Sequence, residues 1–490
     1  MLKKIIKNIR KKDIDIYLML ILLIGIFNHK QIIWVGDGLW DFSNIYKMSI
    51  GYRIYKDLNV IITPFFFDIG KILFNILGRN FRTYVLYNFV IYMAFFTCIN
   101  VIFKELNINK NKRVAFFLIL FIFFKQIIPV GANYNIIAFI TVFISIILFL
   151  KKKENYYIHG ILVFITIMCK QNMGAFHGIG VLLFIITQND KDIKNKIISI
   201  IQLAITNFVL LAVFLIYYKC NGLLADFMDM AVLGIREFST KNIAFNYNAS
   251  LYFYLAILID IFLIYVVNSK KLNFSTENET IKNNIKMLVC IGTPMILVGI
   301  PIVNAFHSVL SCTIISFAFF YTIENMIFNE IKTKKEYLIK ILIIMFLILS
   351  TVYYIIETKD FTYCSDRNSP YYGGYISKEA NEQIENICKF IVDNNSKNIR
   401  VIILSQEANA YMTPLKKANR EFDLPFMGNL GKDGEDGLIK KIKNLRNTKI
   451  LIKKDEEKVF WQESIKVRKY IEENLENIGE IEGYSIFYTK

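Results

Sequence analysis

Stretches of roughly 15 to 22 mostly apolar residues recur along the chain, separated by short charged loops, and this rhythm limits the fold more than any motif does. A helix rising 1.5 Å per residue needs about 20 residues to cross ~30 Å of hydrocarbon. Within lipid, each backbone amide and carbonyl must be satisfied inside its own segment, so the runs read as helices and not as an open sheet. Hydrophobic residues make up 54% of the chain, with 42 Phe and 28 Tyr, which requires lipid as the main solvent. About eleven spans are predicted, over 15–28, 83–103, 114–129, 134–150, 157–168, 175–187, 197–217, 250–267, 287–302, 308–328 and 337–357. Residues 59–78 are apolar too, but Pro64, Asp68, Gly70 and Lys71 interrupt them, and they are placed as interfacial helices within an external loop, 29–82.

Charge orients the array. The formal charge of +17 does not point to nucleic acid, because the Lys and Arg residues sit in short loops beside the apolar runs. With the amino terminus inside, the proposed inner loops carry 23 Lys and Arg in 66 residues and the outer segments 11 in 101, a bias that a crossing at 59–78 would reverse. The basic start and first apolar run imitate a signal peptide, yet no small-residue cleavage site follows, so a retained helix is expected. Seven scattered Cys residues, without a CxxC pair, read as small buried hydrophobes.

After residue 357 the long apolar runs stop. Residues 358–490 have the size and charge balance of a soluble α/β domain, with strands expected at Val401–Leu404, Lys449–Ile452 and near Tyr484–Tyr488, and helices at Leu438–Leu445 and Phe460–Leu475. The odd number of spans puts this domain outside the cell, leaving 1–357 as the membrane domain.

The loop after the first helix reads Gly36-Asp37-Gly38-Leu39-Trp40-Asp41, then Tyr55-Lys56-Asp57 and Pro64. One reading makes Asp37 the cap of a helix that begins near Leu39. Another makes the loop a platform that presents a carboxylate to a lipid-attached molecule. Lys125, Lys170 and His307 fall near the outer ends of their segments, on the same face as Asp37, where they could bind a lipid phosphate. Snorkelling to the headgroups would also account for the lysines, and an ordinary loop hydrogen bond for His307. Arg236, in the outer loop 218–249, is either a further phosphate ligand or a solvated charge.

The spacing from Asp37 to Gly51, with Tyr55, Asp57 and Pro64 beyond, resembles the first external loop of the GT-C membrane glycosyltransferases, the group of protein mannosyltransferases and aminoarabinose transferase. Cys169-Lys170-Gln171-Asn172-Met173-Gly174 is similar to a Lys-containing break between two short helices in that family, and Pro301-x-x-Asn304-x-x-His307 to a later loop. Gly38 stands where the family usually has a second acid, a role Asp41 could fill from one helical turn away. The resemblance implies sugar transfer from a polyprenyl-phosphate donor to a cell-envelope glycan, lipid or protein at the outer face of the plasma membrane. Asp37 and Asp41 would be catalytic, Lys170, His307, Lys125 and Arg236 would hold donor phosphate, and Tyr55 and Asp57 would belong to the substrate loop. No cofactor is demanded; a divalent metal on Asp37 and Asp41 stays open. The alternatives are a transporter or flippase of lipid-linked saccharide, disfavoured by the lack of repeat symmetry, and a non-catalytic envelope-assembly scaffold.

Overall fold

A computed structural model describes residues 13–28, 32–33, 37–124, 133–243, 251–269, 276–300, 303, 305–326, 360–405, 407–420, 430–454 and 464–490. The apolar runs form helices, as backbone satisfaction in lipid demands: α1 (Ile14–Asn28), α2 (Asp37–Ser49), α3 (Phe65–Leu77), α4 (Phe81–Glu105), α5 (Lys110–Phe124), α6 (Tyr134–Leu150), α7 (Tyr156–Cys169), α8 (Gln171–Thr187) and α9 (Ile193–Cys220). A π-helical turn, Met228–Leu233, leads into α10 (Gly234–Ile243) and then α11 (Leu251–Asn268), α12 (Thr276–Ile296), α13 (Ala305–Ser311) and α14 (Thr313–Met326). Among the described residues, four helices are long and apolar enough to cross a membrane: Phe81–Glu105, Ile193–Cys220, Leu251–Asn268 and Glu279–Gly299. Exposed Ile193, Ile197, Ile201, Ile205 and Phe208 run down one side of α9, a stripe that water would not tolerate and lipid would cover. The architecture is thus compatible with a membrane protein. The expected span at 337–357 and Lys125 lie outside the described residues.

Polar contacts sort the loops to two ends. At one end Arg113 grips Asp13 with both terminal nitrogens at 3.1 Å, Lys104 lies 3.7 Å from the same carboxylate and Lys151 3.4 Å from Glu105. Lys191 pairs with Glu154 and Lys112 with Glu324 at that end too. These are the loops that charge counting grouped together. At the opposite end Ile33 N donates to Tyr375 O at 2.7 Å and Phe81 N to Pro370 O at 2.8 Å. The chain therefore leaves and re-enters the helix array at the same end between α1 and α4. Helix α3, 13 residues long, lies within that excursion.

Small residues set the closest helix approaches, since an added methyl would collide. A Cβ on Gly160 would meet Thr206 Cβ of α9 at 2.7 Å, and one on Gly180 would meet Ile291 Cα of α12 at 2.8 Å.

The carboxyl-terminal part adds β1 (Phe361–Tyr363) and β2 (Tyr375–Ser377) as an antiparallel pair, then α15 (Lys378–Asn395), β3 (Arg400–Leu404), α16 (Ala408–Met412), α17 (Gly434–Lys443), β4 (Thr448–Lys453), α18 (Ile465–Asn474), β5 (Glu476–Ile481) and β6 (Tyr484–Thr489). The strand order β3-β4-β6-β5 combines one parallel pair with two antiparallel ones. Alternation puts Ile402, Ile450 and Phe487 on one face, against Leu438, Ile442, Val467 and Ile471. Val401, Ile403, Leu451 and Ile486 belong to the other face, whose core is continuous with that of the helix array. The three expected strands form, with each end shifted by a residue at most; α18 begins at Ile465, and residues 460–463 of the expected helix lie outside the described residues.

Candidate functional site

Helix α2 starts at Asp37, two residues earlier than Leu39, which puts the Asp37 carboxylate in its first turn, where the helix dipole favours negative charge. Its aromatic face fixes it: Trp40 packs edge-on against Phe67, and Phe42 meets Phe74, Phe81 and Tyr84. Asp41, one turn on, is fully buried, with the Asn133 amide 3.4 Å from Oδ2. Asp41 lies one turn further along the same stripe as Asp37 and is closed off in the core, while Asp37 keeps part of its surface accessible.

Lys170 occupies the break between α7 and α8, with an extended backbone (φ −157°, ψ 119°). A Cβ on Gly174 would stand 2.4 Å from Ile167 N, so the fourth residue of α8 must be glycine for the two helices to fold back so tightly. Two side chains pin the turn. Thr63 Oγ1 donates to Ile167 O at 2.6 Å, and Gln171 Nε2 lies 3.0 Å from both Ile61 O and Ala231 O. Lys170 Nζ donates to Asn135 Oδ1 at 2.8 Å and sits 6.0 Å from the centre of the Tyr134 ring. Asp37 and Lys170 act on each other electrostatically, and Lys170 acts on His307 in α13. The amino-terminal ends of α6 and α8 thereby meet at the Lys170 ammonium, with Asp37 in the first turn of α2 near enough to act on its charge, an arrangement whose dipoles and cation suit an anion.

Asp37, Lys170 and His307 each keep part of their surface accessible, yet burial dominates the environment of each, as for groups lining a recess. Burial pushes the Asp37 carboxyl up to about 6, with Lys170 opposing, and the Lys170 amine down to about 8, with Asp37 opposing. Burial, followed by the Lys170 charge, drives the His307 imidazole down to about 3. At neutral pH His307 is therefore an uncharged hydrogen-bonding group, not the cation that its position in the sequence suggested.

The remaining sequence candidates stand elsewhere. Tyr55 is buried at positive φ (65°), its hydroxyl donating to Ile62 O at 2.8 Å, and Asp57 accepts from Arg53 N at 2.8 Å. Both shape the turn before α3 instead of reaching the recess. Arg236 is exposed on α10, and Pro301 and Asn304 lie outside the described residues. Sequence reasoning passed over Asp68 in the first turn of α3. It is exposed by area, yet burial pushes its carboxyl up to about 6, against the pull of Lys71. An acid within the apolar run 59–78 was the available signal.

Among the described residues no three His, Cys, Asp or Glu side chains gather as metal ligands. No family model, curated protein or solved structure matches the chain.

Proposed function

We propose that the chain is a membrane glycosyltransferase that moves a sugar from a polyprenyl-phosphate donor to a cell-envelope acceptor. The observation that carries this reading is that Asp37, in the first turn of α2, and Lys170, at the break before α8, are both partly accessible and near enough for each charge to act on the other. A base alone would suit many reactions. A base set beside a buried cation suits one in which an acceptor loses a proton as phosphate gains charge.

In this mechanism the Asp37 carboxylate takes the proton of an acceptor hydroxyl. The acceptor oxygen forms a bond to the anomeric carbon, the bond from that carbon to the phosphate oxygen breaks, and polyprenyl phosphate leaves with the electron pair. Attack opposite the leaving group inverts the anomeric carbon. The leaving phosphate is a weak base and needs little acid help; Lys170 supplies the fixed positive charge, and neutral His307 a hydrogen bond. A polyprenyl chain would lie in the bilayer.

The same reading places about eleven spans in the plasma membrane, the amino terminus in the cytoplasm, and the carboxyl-terminal layer outside, beside the recess. Purified protein incubated with a panel of labelled polyprenyl-phosphate sugars and envelope acceptors should release carrier lipid. Donor that crosses vesicle bilayers intact, without carrier release, would instead mark a transporter.

A further inference from the structure

Helix α2 is braced from outside the helix array. Lys47 is fully buried, and its Nζ donates to Asn409 Oδ1 of α16 at 2.8 Å. Ser43 Oγ donates to the same oxygen at 2.9 Å and lies 2.6 Å from Thr413 Oγ1. Around this cluster, residues 370–376 grip what flanks α2: Ile33 N donates to Tyr375 O, Phe81 N to Pro370 O and Arg82 N to Tyr372 O, at 2.7 to 2.8 Å. Tyr371 hydroxyl ties that strip to α16 through Ala410 O at 2.6 Å, and its ring lies 6.0 Å from Phe42.

A buried ammonium is costly to desolvate, and an unbranched apolar side chain would fill the same space without that cost. What apolar packing lacks is a fixed register. Asp37, Asp41 and Asn44 follow one another at helical spacing, and Ser43 and Lys47 form the neighbouring stripe. A hydrogen bond that can be made at only one rotation of α2 therefore dictates where Asp37 points. Lys47 lies ~15 Å along the helix from Asp37 and would touch neither donor nor acceptor there.

We propose that Lys47 is a positioning residue: through Asn409, the carboxyl-terminal layer sets the rotation of α2 and hence the placement of Asp37 opposite Lys170. The catalytic part of this inference rests on the transferase reading above; the brace itself does not.

Full-length protein in nanodiscs tests it as wild type, Lys47→Met, Asn409→Leu, the double variant and Lys47→Arg, by thermal unfolding, by hydrogen exchange over residues 37–49, and by kcat and KM for donor. Lys47→Met removes one of the two donors to Asn409 Oδ1 and Asn409→Leu removes the acceptor that Lys47 and Ser43 share, so either single variant should lower the melting midpoint. The double variant, with Lys47 and Asn409 both apolar and Ser43 still held by Thr413, should recover part of the midpoint lost in Asn409→Leu. It should still exchange about ten-fold faster over 37–49, a ~1.4 kcal/mol loss of local protection, with kcat down by a similar factor and KM little changed. Lys47→Arg, which keeps a donor, should regain much of kcat. A double variant with wild-type exchange and kcat would overturn the proposal, since Lys47 would then be ordinary packing. If wild type turns over no donor, the transferase reading has failed, and exchange alone decides: unchanged protection in both single variants overturns the brace. Asn409→Ser serves should Lys47→Met fail to fold.

Discussion

Asp37 and Lys170 oppose each other's neutral forms in a site where burial favours them, and the balance makes a pH prediction. Transfer needs Asp37 deprotonated and Lys170 protonated, so the rate should rise as pH passes about 6 and fall as it passes about 8, a bell whose limbs belong to the coupled pair. Lys170 is the influence that lowers the Asp37 value, so Lys170→Met should move the acid limb above 6 while it slows turnover. An unmoved limb in kcat/KM would show that the titrating base is not beside Lys170. Residue types were legible in the sequence, but their states were not. Asp37 and Lys170 stood out because ionisable groups near a bilayer are rare, whereas Asp41 is enclosed beside Asn133 and His307 is kept neutral by burial first and the Lys170 charge second, all from segments distant in sequence.

At the scale of elements, the break at Lys170 is the part most exposed to a small change. Gly174→Val would put branched carbons where Ile167 backbone already stands. It should cost about 1–3 kcal/mol of stability and displace Lys170, seen as a lower melting midpoint and weaker binding of a polyprenyl-phosphate analogue. Wild-type values for both would mean that the turn is looser than its geometry indicates. Periodicity and run length made the main helices and strands β3, β4 and β6 readable, because each pattern reports its own burial. Helix α15 was missed although Ile384, Ile387, Cys388 and Ile391 follow helical spacing, since its charged remainder resembles a linker. Strand β5 offered no signal, because it is an edge strand exposed along most of its length.

For the molecule as a whole, charge counting and geometry agree on which loops share an end, because repulsion from the wrong compartment and pairing within the right one act on the same Lys and Arg residues. The continuity of the core between helix array and carboxyl-terminal layer was not legible: it rests on Lys47, Phe42 and Ile33 meeting partners more than 300 residues away. Orientation is open to a direct check. In a cysteine-free background, Lys389→Cys should react with an impermeant maleimide added outside intact cells, and Lys152→Cys only after lysis; the opposite pattern would put the recess on the cytoplasmic side. The central claim, that Asp37 drives sugar transfer from a lipid phosphate, is tested most directly by carrier release from labelled donor, with wild type and Asp37→Asn compared at equal expression and equal melting midpoint. The account predicts release by wild type and a loss of about 10²-fold or more in the variant. Equal release by the two proteins would contradict it.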